Sequence, residues 1–456
     1  MIEFNIDFTK KLGKIKPVNA SNNGPKIPGE DQTSGNFETF KQLHIPYARV
    51  HDANLCYAYG APHTVDVYAI FKDFNADPDD PANYDFTMTD IYLKAIAAAG
   101  TEPFYRLGGA IEHYPRKWFT RAPADFQKFA VICEHIIRHC TGGWANGLNM
   151  KITYWEIWNE ADLDRDDAEN KRNWQGTAEQ FFEMFCITAK HLKEKFPHLK
   201  IGGPASAAPV NDWNGGKWTE KLFAAMEKNG VKLDFYSWHR YCPVTKDLVA
   251  DIRKVRDFLD THGQPQAESI CNEWNYVNGW SDNWVYSLKT ENNMKGAAFA
   301  MAAMLSAQKA PVDMMMYYDM RVNSQMNGLW AKIDFTRQKP WYCFYMFDKL
   351  AQLGTEAAAN ATSEDAALAV EASCVAAVDG NGVKAACLAL YTDDDNFAIR
   401  KIRVNLKGLT AADKKRTLVR LLDEDTDCFD IPFAYEGDSL VFARNFPTRC
   451  ALLLQF

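Results

Sequence analysis

Two short runs in this sequence carry a glutamate beside an asparagine at or near their ends, and each has the residue types of acid–base chemistry. The first is Tyr154-Trp155-Glu156-Ile157-Trp158-Asn159-Glu160, and the second is Glu268-Ser269-Ile270-Cys271-Asn272-Glu273-Trp274-Asn275. Both alternate like β-strands and close on a polar cluster. Two carboxyl groups facing each other are what hydrolysis of a glycosidic bond needs. One protonates the leaving oxygen, and the other attacks the anomeric carbon or activates water. A separation of about 5 to 5.5 Å supports retention of configuration, and about 6.5 to 9.5 Å supports inversion. Glu160 is the better candidate in the first run because it stands at the strand's C-terminal end. Glu156 lies deeper, as a buried hydrogen-bonding or ion-pair partner. In a regular strand Glu156, Trp158 and Glu160 share one face while Asn159 points away, so a bend is needed if Asn159 and Glu160 are to serve one pocket.

The elements that must bring these runs together alternate in type. Strand-like segments at Ile15 to Ala20, Ile45 to His51, Glu102 to Leu107, Ile152 to Asn159, Leu199 to Gly203, Leu233 to His239, Glu268 to Glu273 and Val312 to Asp319 are each followed by a helical pattern. Examples are TDIYLKAIAAAG, which stops at Gly100, and AEQFFEMFCITAKHLKEKF. Eight such units predict an α/β fold, a (β/α)8 TIM barrel over residues 15–353, with chemistry at the C-terminal strand ends. Glu160 and Glu273 then end strands four and seven. Beyond Gly354 the segments shorten and turn-forming residues separate them, which predicts a C-terminal antiparallel β-sandwich over 354–456. The alternating IEFNIDF within residues 1–10 is a candidate extra strand for it. A polar, Pro-rich insertion from Tyr57 to Tyr84 reads as a surface loop after strand two.

Composition narrows the function classes. A net charge of −8, from 51 Lys+Arg against 59 Asp+Glu, offers no basic field for nucleic acid. No stretch of about 18 apolar residues could span a bilayer, and the basic-then-apolar start of a secretory signal is missing. The 11 cysteines are odd in number and form no C-x-x-C pair. Reduced thiols and a cytoplasmic location are therefore expected. His135 and His139 stand at i, i+4, but without H-E-x-x-H they read as a solvated helix face rather than a metal site. No dinucleotide or Walker motif occurs, so no cofactor and no metal are expected. Oligomeric state stays open.

The runs Trp158-Asn159-Glu160 and Asn272-Glu273-Trp274-Asn275 resemble those of retaining (β/α)8 glycosidases, most closely glycoside hydrolase family 39, the family of β-xylosidases and an α-L-iduronidase. Arg49-Val50-His51, Ser237-Trp238-His239-Arg240-Tyr241, Gly328-Leu329 and Lys339-Pro340 resemble further family segments. The resemblance implies a hydrolase that removes a terminal sugar from an oligosaccharide or glycoside. Glu160 would be its acid/base and Glu273 its nucleophile. It also implies that Asn159 bonds the sugar 2-hydroxyl, that Tyr241 donates to Glu273, and that His51 and His239 line the same subsite. Strand eight departs from the family pattern, reading Met314-Met315-Met316-Tyr317-Tyr318-Asp319-Met320-Arg321, so Tyr318 or Trp280 becomes the candidate ring beneath the sugar. Arg106, Arg240, Asp319 and Arg321 could either read the sugar or form rim salt bridges. The glycone stays open among xylose, arabinose, galactose, glucose and iduronate.

Overall fold

A computed structural model describes residues 1–26, 35–52, 64–210, 217–322, 324–363, 370–396 and 398–456. Eight parallel strands close a barrel in chain order. They are Ala20–Asn22, Tyr47–Val50, Glu102–Leu107, Tyr154–Ile157, Lys200–Ser206, Phe235–Tyr241, Glu268–Asn275 and Met314–Tyr317. The expected helices appear at Thr87–Ala98, Phe126–Gly142 and Ala178–Lys195, the first ending before Gly100 at φ +82°.

The first strand starts later than its apolar pattern suggested. Ile15 donates its N–H to Gly354 O at 2.9 Å and Lys16 donates to Gln308 Oε1 at 2.8 Å, while Pro17 has no N–H to give. Residues 15–19 therefore connect the barrel to its neighbour, and their link to the barrel strands is the Pro17 carbonyl, which accepts the Met315 N–H at 3.3 Å. In the polar insertion, residues 57–63 lie outside the described residues. Of the remainder, Asp73–Asn83 is largely exposed, whereas Val65 to Val67, Ile70 and Phe71 are buried around a short helix at Val67–Ile70.

Inside the barrel the side chains are layered by polarity. Ala20, Phe104, Tyr154, Phe235, Ile270, Met314 and Met316 form an apolar floor. One step further along the same strand faces come Asn22, Arg49, Arg106, Glu156 and Asn272, all buried. Met315, between two floor residues, packs outward against the helices instead.

The second sheet has ten strands and includes the N-terminal strand Ile2–Lys14, which pairs antiparallel with Thr355–Ser363 and parallel with Ile402–Lys407. Phe8 lies four strands from Cys450–Gln455, a span of about 19 Å in a flat sheet, yet its ring centroid is 5.4 Å from that of Phe456. The sheet is thus curled around its own core. Its other face lies on the barrel: along Lys384–Tyr391, Ala386, Leu388 and Leu390 point into the curl, and Ala385, Cys387, Ala389 and Tyr391 point to the barrel helices. The helix Met294–Gln308 lies beneath that face and, apart from Lys295, Ser306 and Gln308, is apolar on all sides because almost every residue of it is buried. The ten described cysteines are free thiols. Among the described residues no helix is long and apolar enough to cross a membrane.

Candidate active site

Strand four stops at Ile157, and the next residue, Trp158, has φ 72°. That left-handed step, rare for a bulky residue, sends the indole into the helix-side core, where Nε1 donates to Asn173 O at 2.8 Å. It also swings Asn159 inward. Trp158 therefore does not share the face of Glu156. Gly108 makes room for the turn, since a Cβ there would lie 2.9 Å from the Trp158 ring. Glu160 follows with φ 45° and is anchored by its N–H to Ala205 O at 2.9 Å. Strained backbone of this kind concentrates at functional sites.

Strand seven solves the same problem with a bulge. Trp238 pairs with Cys271, but His239 pairs with Glu273, so Asn272 is the extra residue. In a regular strand Asn272 and Glu273 would face opposite ways; the bulge re-aims Glu273 into the barrel mouth. Oxygens of Glu160 and Glu273, together with a ring nitrogen of His239, lie within 4.8 Å of one another. This is the approach of a retaining pair rather than an inverting one.

Arg49 sits beneath the pair, fully buried. Its guanidinium donates to Glu273 Oε1, Glu156 Oε2 and Asn159 Oδ1, each at 2.7 Å, and to Asn22 Oδ1 at 3.1 Å. Burial opposes its charge, but Glu156 and Glu273 outweigh that and hold it more firmly protonated than usual. Because Arg has only donors, it fixes the orientation of both amides. The Asn159 Nδ2 group is left buried with no partner among the described residues. Nothing in the Arg49-Val50-His51 spacing places Arg49 at the site, because its acceptors come from distant segments of the chain.

The other expected residues gather around this hub. Tyr241 donates its hydroxyl to Glu273 Oε2 at 2.7 Å. His239 Nδ1 is 2.8 Å from Glu160 Oε1, and burial drives its pKa down to about 4, leaving a neutral ring near pH 7. His51 Nε2 lies 3.8 Å from Glu273 Oε1, and its ring is held by Arg106, itself paired with Asp66 at 2.5 Å. The rings of Trp280 and Tyr318 lie 5.0 and 6.3 Å from that of Tyr241 and form an aromatic flank beside Glu273, with Trp280 61% exposed. Tyr318 also donates to Asp52. Asp319 is fully buried and accepts from the Arg321 N–H at 2.7 Å, so it holds Arg321 rather than facing the opening. Burial raises its pKa to about 6. Arg240 turns away to Asp251 at 2.7 Å. Asn173, which no strand pattern flagged, donates to Glu160 Oε2 at 3.0 Å.

Burial pushes both carboxyls up, Glu160 to about 7 and Glu273 to about 7, with Arg49 opposing the rise in each. The local partners differ. Glu273 accepts a full guanidinium charge and a phenol, whereas Glu160 has an amide and a neutral imidazole. The single negative charge the pair can hold easily therefore rests on Glu273, and the shared proton on Glu160. Glu160, His239 and Glu273 have donor types that could hold a cation, but the Arg49 charge on Glu273 opposes one. His135 and His139 are buried rather than on a solvated helix face: His139 Nε2 is 2.9 Å from Asp90, and His135 stacks on Trp144.

A (β/α)8 barrel with a close carboxylate pair at the ends of strands four and seven is the arrangement of a retaining glycosidase active site. The profile of glycosyl hydrolases family 39 matches residues 5–264, and the chain belongs to that family. It is 24% identical over 250 residues to a β-xylosidase of Caldicellulosiruptor saccharolyticus, a match covering 53% of this chain and 46% of that protein. It is 25% identical over 186 residues to a β-xylosidase of Geobacillus stearothermophilus, covering 39% and 34%. The chain thus spans about half or less of the curated relatives it matches. Among solved structures, a glucosidase from Croceicoccus marinus superposes with TM-score 0.78 at 18% identity, over 100% of this chain and 98% of that one. A family 39 β-xylosidase from Caulobacter crescentus gives 0.67 at 19%, over 100% and 99%. These likenesses establish the shared fold.

Proposed function

We propose that this chain is a retaining exo-glycosidase of β-xylosidase-like type, removing a terminal sugar from an oligosaccharide or glycoside by double displacement. The observation that carries the reading is the approach of the Glu160 and Glu273 oxygens to within 4.8 Å. Ionised Glu273 attacks the anomeric carbon while Glu160 protonates the leaving oxygen. Glu160, now ionised, then takes a proton from water as it attacks the glycosyl-enzyme, and the sugar leaves with its configuration retained.

Other side chains have supporting parts. Arg49 and Tyr241 hold Glu273 ionised and aimed. The unpartnered Asn159 Nδ2 is a donor for the sugar 2-hydroxyl, a bond that tightens in the oxocarbenium-like transition state. His51 and His239 line the glycone side, Trp280 and Tyr318 supply its rings, and Asp319 orients Arg321. Residues 15–353 form the catalytic unit, with 354–456 and the first strand as its companion. The xylose preference rests on the names of the two curated relatives. Free thiols favour a reducing compartment such as the cytoplasm.

The test is a panel of aryl β-xyloside, arabinoside, galactoside, glucoside and iduronide, with NMR of the first-formed anomer. Release of β-xylose from the xyloside supports the full reading. Retention on another sugar corrects the glycone alone. Inverted product, or no release from any member while Glu273→Ala binds oligosaccharide as tightly as the parent, overturns the mechanism or the enzyme reading.

A further inference from the structure

The wall beside Glu160 has a construction that the chemistry above does not use. After strand three, the segment 108–120 is fastened by one carboxylate. Glu112 accepts the N–H of Trp118 at 3.0 Å, of Phe119 and of Thr120 at 3.1 Å each, and the Thr120 hydroxyl at 2.8 Å. Lys117 folds back onto the carbonyl of Glu112. This segment is sewn to the loop after strand four: Glu112 donates its N–H to Arg172 O, and Gln175 to Thr120 O, both at 2.9 Å. Arg172 is clamped by Asp164 at 2.6 Å, and the next residue is Asn173, which holds Glu160. The two loops are therefore one rigid body in contact with the acid.

On that body Trp118 stays 50% exposed, and the Arg116 guanidinium carbon lies 4.0 Å from its ring centre. Among the described residues no carboxylate pairs with Arg116. The Glu112 carboxylate holds the backbone N–H of Trp118 and those of the two residues that follow it. An exposed aromatic on a fastened backbone, with a cation stacked on it that no carboxylate among the described residues neutralises, is a preorganised surface, since little ordering remains to be done on binding. Its place follows from the reaction. The acid must touch the glycosidic oxygen, so the leaving group extends along the Glu160 side, away from the Tyr241, Trp280 and Tyr318 flank at Glu273.

We propose that Trp118 and Arg116 form the leaving-group subsite, taking a saccharide ring against the indole while the guanidinium bonds its hydroxyl or carboxylate substituents. The proposal rests on the glycosidase reading above. It also predicts that natural substrates are oligosaccharides rather than glycosides of small alcohols.

The test compares two substrates sharing the glycone found by the panel: a disaccharide, and the glycosyl fluoride, whose leaving group is one atom. kcat/KM reports the glycosylation step, in which the leaving group is still bound. Trp118→Ala and Arg116→Met keep every backbone bond to Glu112. Each is expected to lower kcat/KM on the disaccharide about tenfold, the size of one lost stacking or charged contact, and to change the fluoride by less than about twofold. Equal loss on both substrates, or none on the disaccharide, overturns the subsite. If the parent cleaves neither substrate nor any member of the panel, the glycosidase reading itself has failed.

Discussion

Replacing Tyr241 by phenylalanine removes one oxygen and leaves the ring that packs between Trp280 and Tyr318. The lost group donates to Glu273 Oε2 at 2.7 Å in a buried site, and its own pKa is raised well above 10, so it stays protonated throughout the working range. A hydrogen bond to a charged acceptor is worth about 1.5 to 3 kcal/mol. It favours ionised over protonated Glu273, and each pKa unit corresponds to about 1.4 kcal/mol, so its loss should raise the Glu273 pKa by about 1 to 2 units. The acid limb of the kcat/KM–pH profile belongs to the group that must be ionised, and the alkaline limb to the group that must be protonated. Tyr241→Phe should therefore move the acid limb upward, narrow the bell and lower its maximum. A full profile of parent and variant on one activated glycoside measures this, with circular dichroism to verify the fold. An unmoved acid limb, with activity lost equally at every pH, would refute the view that Tyr241 acts through the charge of Glu273.

Stability should respond to the same burial. A carboxyl whose folded pKa is raised to about 7 stabilises the fold at low pH, and that contribution is lost as pH rises from its unfolded value, 4.5, towards 7. Glu160→Gln should accordingly raise the urea midpoint at pH 8 by an amount equivalent to about 1 to 3 kcal/mol, and change it little at pH 4.5. A midpoint lowered at pH 8 would contradict the assigned direction. At the contact with the second sheet, Lys295 is buried and reaches Tyr286 Oη and Asp393 Oδ1, each at 2.7 Å, and Asp395 Oδ1 at 3.1 Å. Lys295→Met should cost about 1 to 3 kcal/mol in urea unfolding, the penalty for stranding these acceptors, discounted because Asp395 is largely exposed. Tyr286 lies in the helix that begins with Trp284, against which Trp280 stacks, so KM should rise with it. An unchanged midpoint and KM would show that the brace carries no weight.

The barrel was legible because its signals are local. Strand three begins and ends where its alternation says, and the helices end at their glycines and caps. Arg49 and His51, two apart on a regular strand, share the inward face by period alone. What escaped depends on register and tertiary partners. The turn at Trp158 and the bulge at Asn272 break the alternation at the two positions that matter most, and neither has a glycine to mark it. A fully buried arginine contradicts the ordinary preference of its type, and its role becomes visible only when acceptors from strands one, four and seven and from the turn after strand four meet around it. Asn173 comes from a loop without periodicity, and its bond to Glu160 has no signature in spacing. The tail's short strands were plain, but the pairing of the N-terminal strand with Ile402–Lys407 is a long-range contact that composition cannot announce.

The central claim is that Glu273 forms the covalent bond and Glu160 moves the proton. Trapping with an activated 2-fluoro glycoside, followed by peptide mass mapping, tests it most directly. The account predicts one glycosyl adduct on Glu273, formed in the parent and absent in Glu273→Gln. An adduct on Glu160 or any other residue, or steady turnover of a normal substrate with no adduct trapped, would contradict it.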